Sequence, residues 1–273
     1  DSIEAYNKCI SLKPNYANAY YNLGNVLGVQ GKLDEAIKTY KNYILLNPNH
    51  AEAYYNMGNA LEVLSKPDDA IEAYNKAVSL KPNYSKAYNN MGTVFHDQGI
   101  LDKAFQAYNK ALSLNPDYAK GHLNLGNVLR DQGKIKESIK SYNKALSIKP
   151  DYEVARAEKL HQLARICDWT SIDDDRELIP SIGTFKNCIS PLPMFSLEDA
   201  PESHYLRSIL YAKTMFTKKP IPLPAKPSEK PERIRIGYFS ADFKTHAVAY
   251  LIAKVIEQHN REKFEIFAYS FIS

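Results

Sequence analysis

Cysteine is scarce in this chain: three residues in 273, Cys9, Cys167 and Cys188, with no CxxC pair among them. That spacing excludes a disulfide-stapled scaffold and a thiolate zinc site, and it fits a reducing compartment, so a cytoplasmic location is expected. Long apolar runs are missing too. None approaches the ~18 residues of a membrane span, and no membrane partner is expected. Charge of a single sign is absent: 35 Lys+Arg against 31 Asp+Glu leave +4. Residues 1–152 carry +3 of this and the remainder +1, so no basic block points to nucleic acid. A hydrophobic content of 44% with 24% charged residues excludes wholesale disorder. What the chain has in excess is tyrosine and asparagine. Of 20 tyrosines and 21 asparagines, 15 and 19 fall before residue 153. An excess packed into half a chain points to internal repeats.

Prolines stand at 14, 48, 82, 116 and 150, each 34 residues after the last. Aligned on them are four units, 17–50, 51–84, 85–118 and 119–152. The first reads Tyr20, Leu23-Gly24, Leu27, then Ala36, Tyr40 and Pro48. The second gives Tyr54, Met57-Gly58, Leu61, Ala70, Tyr74 and Pro82; the third gives Tyr88, Met91-Gly92, Phe95, Ala104, Tyr108 and Pro116. The fourth drifts to His122, Leu125-Gly126, Leu129, Ser138, Tyr142 and Pro150. Period and signature resemble the tetratricopeptide repeat, which implies two antiparallel helices per unit stacked into a right-handed superhelix.

The repeated residues have physical work in such a fold. Gly24, Gly58, Gly92 and Gly126 remove a side chain where one helix presses on its partner, and Ala36, Ala70 and Ala104 do so from the other side. Gly31, Gly99 and Gly133 fall between the helices, where a positive φ is cheap for glycine. The second unit has Ser65-Lys66-Pro67 there, with Pro67 expected at the first position of the next helix. Prolines 48, 82 and 116 end each unit because they cannot continue a helix. Residues 1–15 correspond to the back half of a further unit, so the chain is expected to begin inside a repeat. Residues 153–168 match a fifth first helix, with Val154, Leu160, Leu163 and Ile166 on one stripe. The array is therefore assigned to 1–168 and a linker region to 169–232, helical in pattern around 198–216. Five prolines in 218–232 mark an extended tether.

After residue 232 the period changes. Arg233–Ser240 alternates as a strand, His246–Asn260 is amphipathic, and Phe264–Phe271 is a second strand. Strand, helix, strand is a βαβ unit, the opening of a parallel α/β domain that is expected to be truncated at 273. The fold class expected is mainly α, with this α/β start at 233–273.

One polar feature repeats without a packing role. Asn22, Asn56, Asn90 and Asn124 share an offset in each first helix, and three residues on come Asn25, Asn59, Thr93 and Asn127. Residues three apart share a helix face, and in a solenoid of this type that face is concave. An amide offers donors and an acceptor together, so a row of them suits a polypeptide backbone read without regard to sequence. Helices ~8–10 Å apart against ~3.3–3.6 Å per extended residue give roughly one rung per three peptide residues. The alternative is that the asparagines solvate the inner face or bond neighbouring repeats to each other. Tyr20, Tyr40, Tyr54, Tyr74, Tyr88, Tyr108 and Tyr142 are read as core. Tyr21 and Tyr55 adjoin the ladder, where flanking a ligand and packing are both open. His96 and Arg130 share an offset facing solvent or groove. Lys86 and Lys120 make no carboxylate clamp beside the ladder.

The junction Ile166-Cys167-Asp168-Trp169-Thr170 and the segment from Gly237-Tyr238 through Ser240-Ala241-Asp242-Phe243 to His246, then His259-Asn260 and Lys263-Phe264-Glu265, resemble the protein O-linked N-acetylglucosamine transferase family, its bacterial members especially. The resemblance covers essentially the whole chain. It implies repeats that feed proteins to a two-lobed, metal-independent, inverting glycosyltransferase, which uses UDP-N-acetylglucosamine to modify Ser/Thr. His246 matches the histidine that the family places in the active site. It lies just past the carboxyl end of a strand, where ligands of parallel sheets gather, as general base or as positioning residue. Ala247 stands where the family commonly has proline, and Asp242 is expected to cap the following helix. The donor site of the family lies in its second lobe, so no cofactor-binding residue is assigned and the 273 residues alone are expected to be inactive. Partners are proteins or extended peptides in the groove; self-association through the repeats stays open. A repeat adaptor without catalysis is the competing reading.

Overall fold

The structure, a computed structural model, describes residues 2–184, 189–195, 197–215, 234–240, 260 and 262–270. It divides into two units, 1–217 and 218–273. The first opens with α1 (Ser2–Leu12) and continues through four helix pairs: α2 (Ala17–Val29) with α3 (Leu33–Leu46), α4 (Ala51–Val63) with α5 (Pro67–Leu80), α6 (Ser85–Asp97) with α7 (Leu101–Leu114), and α8 (Ala119–Asp131) with α9 (Ile135–Ile148). A tenth helix, α10 (Glu153–Arg165), stacks on the last pair.

Each pair is held by the residues that repeat. A Cβ on Gly24, Gly58, Gly92 or Gly126 would come within 2.4–2.7 Å of the ring of Tyr40, Tyr74, Tyr108 or Tyr142. These four tyrosines are at most 3% exposed, and Ala36, Ala70 and Ala104 are fully buried. A glycine within a helix costs roughly 0.5–1 kcal/mol against alanine, and the aromatic ring lying on the bare backbone offsets that cost. Tyr20, Tyr54 and Tyr88, expected in the core with them, are only half-buried.

The turns follow the same logic. Gly31, Gly99 and Gly133 have φ of 75°, 73° and 76°, and Pro67 begins α5 as expected. Ser65 takes the equivalent turn at φ 56°, with Lys66 N–H donating to the Leu61 carbonyl at 2.9 Å. An L-residue in that region costs about 1–2 kcal/mol, part of which glycine returns as chain entropy when unfolded. Ser65→Gly is therefore expected to raise the free energy of unfolding by about 0.5–1 kcal/mol. A denaturant midpoint at or below the parent's would contradict this.

The described residues that follow α10 pack against it. Asp168 caps α11 (Trp169–Asp173) through Ser171, whose N–H and hydroxyl reach its carboxylate at 3.2 and 2.8 Å. Two 3-10 turns, Arg176–Ser181 and Leu192–Met194, and α12 (Pro201–Met215) follow. Ile172, Ile179, Ile182, Ile189 and Met194 form one buried cluster with Ala157, Leu160 and Leu163 of α10. Ile166 lies past the end of α10 and is 41% exposed, off the stripe expected for it. Described residues between Ile172 and Leu197 thus cover a face of α10, and the region read as linker from 169 falls in the first unit as far as 217.

Arg207 locks this cover. It is fully buried; its Nε donates to the Ile182 carbonyl at 2.7 Å and Nη2 to that of Ile179 at 3.0 Å, while Nη1 pairs with Glu198. Asp175, 5% exposed, is paired with Arg156 and Lys159 of α10.

In the second unit, β1 (Ile234–Ser240) and β2 (Phe264–Ser270) pair in parallel, with Ile234 opposite Phe264 and Ser240 opposite Ser270. A parallel pair needs a crossover connection. The tether at 218–232 and the helix expected at 246–260 lie outside the described residues, apart from Asn260.

Candidate functional site

The asparagine ladder is a hydrogen-bonded system running from repeat to repeat. Asn25 Oδ1 accepts from the Tyr40 hydroxyl at 2.8 Å and from Asn56 Nδ2 at 3.0 Å. One repeat on, Asn59 Oδ1 accepts from Asn90 Nδ2 at 2.9 Å and shares the single Tyr74 hydroxyl proton, at 2.8 Å, with Glu62 Oε2 at 2.7 Å. Asn127 Oδ1 accepts from the Tyr142 hydroxyl at 2.9 Å. Tyr21 and Tyr55 adjoin the rungs, with their hydroxyls 3.4 and 3.3 Å from Asn56 and Asn90 Nδ2. The third repeat has Thr93 in place of asparagine, and the network shifts by one turn. There Asn124 Nδ2 donates to Asn89 Oδ1 at 3.1 Å, and buried Asn89 donates in turn to Asn90 Oδ1 at 3.2 Å. Asn22 is exposed.

These bonds orient the amides. An amide has one acceptor oxygen and one NH2 group. Because the tyrosine and the next rung occupy the oxygens of Asn25 and Asn59, and the tyrosine that of Asn127, the NH2 groups of these three are left over. Because Asn56 and Asn124 spend their NH2 groups across the repeat junction, their oxygens are left over. Among the described residues no partner takes either set. The face therefore alternates unused donors and unused acceptors, the pattern a polypeptide backbone requires. The bonds between repeats and the orientation of the groups left over are one arrangement here.

The tyrosines that set this orientation are themselves perturbed. Burial, with nearby Tyr21 adding to it, pushes the Tyr40 hydroxyl up to about 12. Burial is also the largest cause of the upward shifts of Tyr74, Tyr108 and Tyr142. A phenol whose folded value lies above its unfolded value near 10 stabilises the fold fully below about pH 10, and this is lost as pH rises through the folded value. The array is expected to hold its denaturant midpoint up to about pH 10 and to lose it steeply between about pH 10 and 12. A midpoint that stays flat over that window would refute the link.

The ladder changes character along the array. Tyr43, where later units have alanine, stacks with Tyr21 and His50 at centroid distances of 5.2 and 5.2 Å. Toward the other end, His96 Nε2 lies 2.7 Å from Asp131, and Arg130 reaches Asp131 at 2.8 Å and Glu158 at 2.6 Å. Glu158 and His161 occupy the two ladder offsets in α10, and burial pushes the His161 imidazole pKa down. A neutral row of amides thus runs into a charged one, which the period alone did not reveal.

Between α2 and α4 the face has a depression of about 430 Å3, lined by Gly28, Val29, Leu33, Ala60 and Val63 with Tyr40 and rung residues Asn25, Asn56 and Asn59. His246 and Asp242 lie outside the described residues. Among the described residues no three His, Cys, Asp or Glu side chains are placed to hold a metal ion, and no helix is long and apolar enough to cross a membrane.

Comparisons with known proteins agree with the repeat fold. Tetratricopeptide-repeat models match residues 21–87, residues 1–28 with 92–129, and residues 119–152. The model of glycosyl transferase family 41 matches residues 154–273, so α10 and its cover belong to that match. Over 128 residues the chain is 30% identical to a probable UDP-N-acetylglucosamine–peptide N-acetylglucosaminyltransferase of Arabidopsis thaliana, covering 41% of this chain and 13% of the relative. Over 120 residues it is 31% identical to the UDP-N-acetylglucosamine–peptide N-acetylglucosaminyltransferase of Caenorhabditis elegans, covering 38% and 10%. The match therefore spans a small part of either relative's length. Among solved structures, MamA superposes with a TM-score of 0.53 at 31% identity, over 54% of this chain and 86% of that one. YrrB, described as a tetratricopeptide-repeat protein with an unusual peptide-binding site, gives 0.52 at 25% identity over 57% and 81%. By these matches residues 1–152 are similar to tetratricopeptide repeats and residues 154–273 to glycosyl transferase family 41.

Proposed function

We propose that these residues are the acceptor-binding array and the opening of the catalytic lobe of a cytoplasmic transferase that moves N-acetylglucosamine from UDP-N-acetylglucosamine to Ser or Thr of proteins. The observation that carries the acceptor half is the oriented ladder. Its unused NH2 groups at Asn25, Asn59 and Asn127 meet peptide carbonyls, and its unused oxygens at Asn56 and Asn124 meet peptide N–H groups. Asn22 and Asn90 extend the same row. Backbone groups are common to all proteins, so such a face accepts many sequences.

The catalytic half rests on the family 41 match. In our reading His246, six residues after β1 in the sequence, is the active-site histidine that the family resemblance implies. It takes the acceptor hydroxyl proton or positions the acceptor. The groups that hold the uridine and diphosphate of the donor are assigned to none of these 273 residues.

Titration of the chain with several unrelated extended peptides tests the acceptor half. Comparable affinities are expected, and either no binding or a requirement for one sequence would defeat the reading. Incubated with UDP-N-acetylglucosamine and a bound peptide, the chain alone is expected to give no product; measurable turnover would place the donor site within it.

A further inference from the structure

We propose that the depression between α2 and α4 is a subsite for one aliphatic side chain of the bound polypeptide, a reading that rests on the groove being the polypeptide site. Gly28 points to it. The glycines of the other first helices at Gly58, Gly92 and Gly126, like Gly24 beside it, are required by a tyrosine ring, and Gly31, Gly99 and Gly133 by a positive φ. Gly28 meets neither demand. A Cβ there would find only the Tyr40 hydroxyl, at 3.9 Å, so the helix carries a destabilising residue over open space. The same offset in the next three repeats holds Glu62, His96 and Arg130, which would fill that space.

The walls say what the space takes. Val29 and Val63 are 91% and 70% exposed on its rim, with Leu33 and Ala60 beside them, and no charged residue lines it. A charged guest would lose water without a partner. An aromatic guest would find no ring face, because Tyr40 presents its hydroxyl, already donated to Asn25. A branched or linear aliphatic side chain suits apolar walls. The subsite is continuous with the ladder: Asn25, Asn56 and Asn59 share its lining, so peptide groups flanking the guest meet the unused donors and acceptor. In the following two repeats the valine offset becomes Asp97 and Asp131. The groove therefore selects an aliphatic residue at this end alone.

The test uses the full chain and host peptides that differ only at one guest position, read by fluorescence anisotropy. Leucine, isoleucine or valine as guest is expected to bind at least ~10-fold tighter than serine, lysine or glutamate. Gly28→Leu fills the depression and is expected to reduce that preference to within about twofold, with melting temperature held or raised. Val63→Ser, which leaves the volume open, is expected to weaken the preference in part. An aliphatic preference that survives Gly28→Leu, or a parent that binds all guests equally, would overturn the subsite and leave the ladder standing. A parent that binds none of the peptides would overturn both.

Discussion

A variant carrying Asn25→Asp, Asn59→Asp and Asn127→Asp is expected to keep its fold and to bind extended peptides roughly 100-fold more weakly than the parent. Aspartate is nearly isosteric with asparagine. It retains the oxygen that accepts from Tyr40 or Tyr142 at 2.8–2.9 Å and, at 25 and 59, from the next rung, so the bonds that join the repeats survive even at 59, where Glu62 also takes the Tyr74 hydroxyl. What changes is the group left over, from an NH2 donor to a carboxylate oxygen. A peptide carbonyl placed against it loses its partner and meets negative charge. Each such loss is worth about 1 kcal/mol, and three together give about the stated factor. High salt should not restore affinity, because the defect is one of donor and acceptor at contact distance, where screening is weak. Alanine at Asn56, Asn90 and Asn124 is a poorer probe, since those amides also donate across the repeat junctions, and a folding defect would be confounded with a binding one. If the triple aspartate variant binds peptides as the parent does, the groups left over on the ladder are not what holds the ligand.

Arg207→Met is expected to remove about 3–5 kcal/mol from the cover on α10. Arg207 is fully buried among the carbonyls of Ile179 and Ile182 and the carboxylate of Glu198. Methionine fills much of the volume but leaves those acceptors without donors and Glu198 with an unpaired charge. Lysine should not rescue it, because a single ammonium cannot spread donors as the planar guanidinium does. Trp169, the one tryptophan of the chain, sits in α11 within the cover, so its fluorescence reports the local transition while circular dichroism follows the repeats. The expected result is early loss of the Trp169 signal with the repeat transition nearly in place. Coincident transitions at the parent's midpoint would show that Arg207 does not lock the segment.

Much of the array was legible because it is written four times. A 34-residue period, a glycine whose missing Cβ a tyrosine ring must occupy, and a turn glycine that needs φ near +75° are local demands, and local demands leave residues at fixed spacings. The parallel strand pair was likewise legible from alternation, since a β-strand imposes its period on neighbouring residues. Of the segment after α10, the helix at Pro201–Met215 was legible in the pattern around 198–216, but the packing of 172–194 was not. Its isoleucines have no helical or strand period and bury themselves on Leu160 and Leu163 only after the chain doubles back. Arg207 reads as an ordinary surface arginine until three separate segments close around it.

The ladder divides along the same line. By itself the sequence determined that amides recur on one face of each first helix, because helical periodicity places offsets three apart together. Which end of each amide faces a ligand was decided only by tertiary structure. That choice depends on a tyrosine 15 residues later and on an amide 31 residues later, and the two ends of a carboxamide differ in nothing but the hydrogen bonds their neighbours make. The same holds for Gly28: its letter is that of the packing glycine four residues before it, and only the empty space above it shows that it does different work.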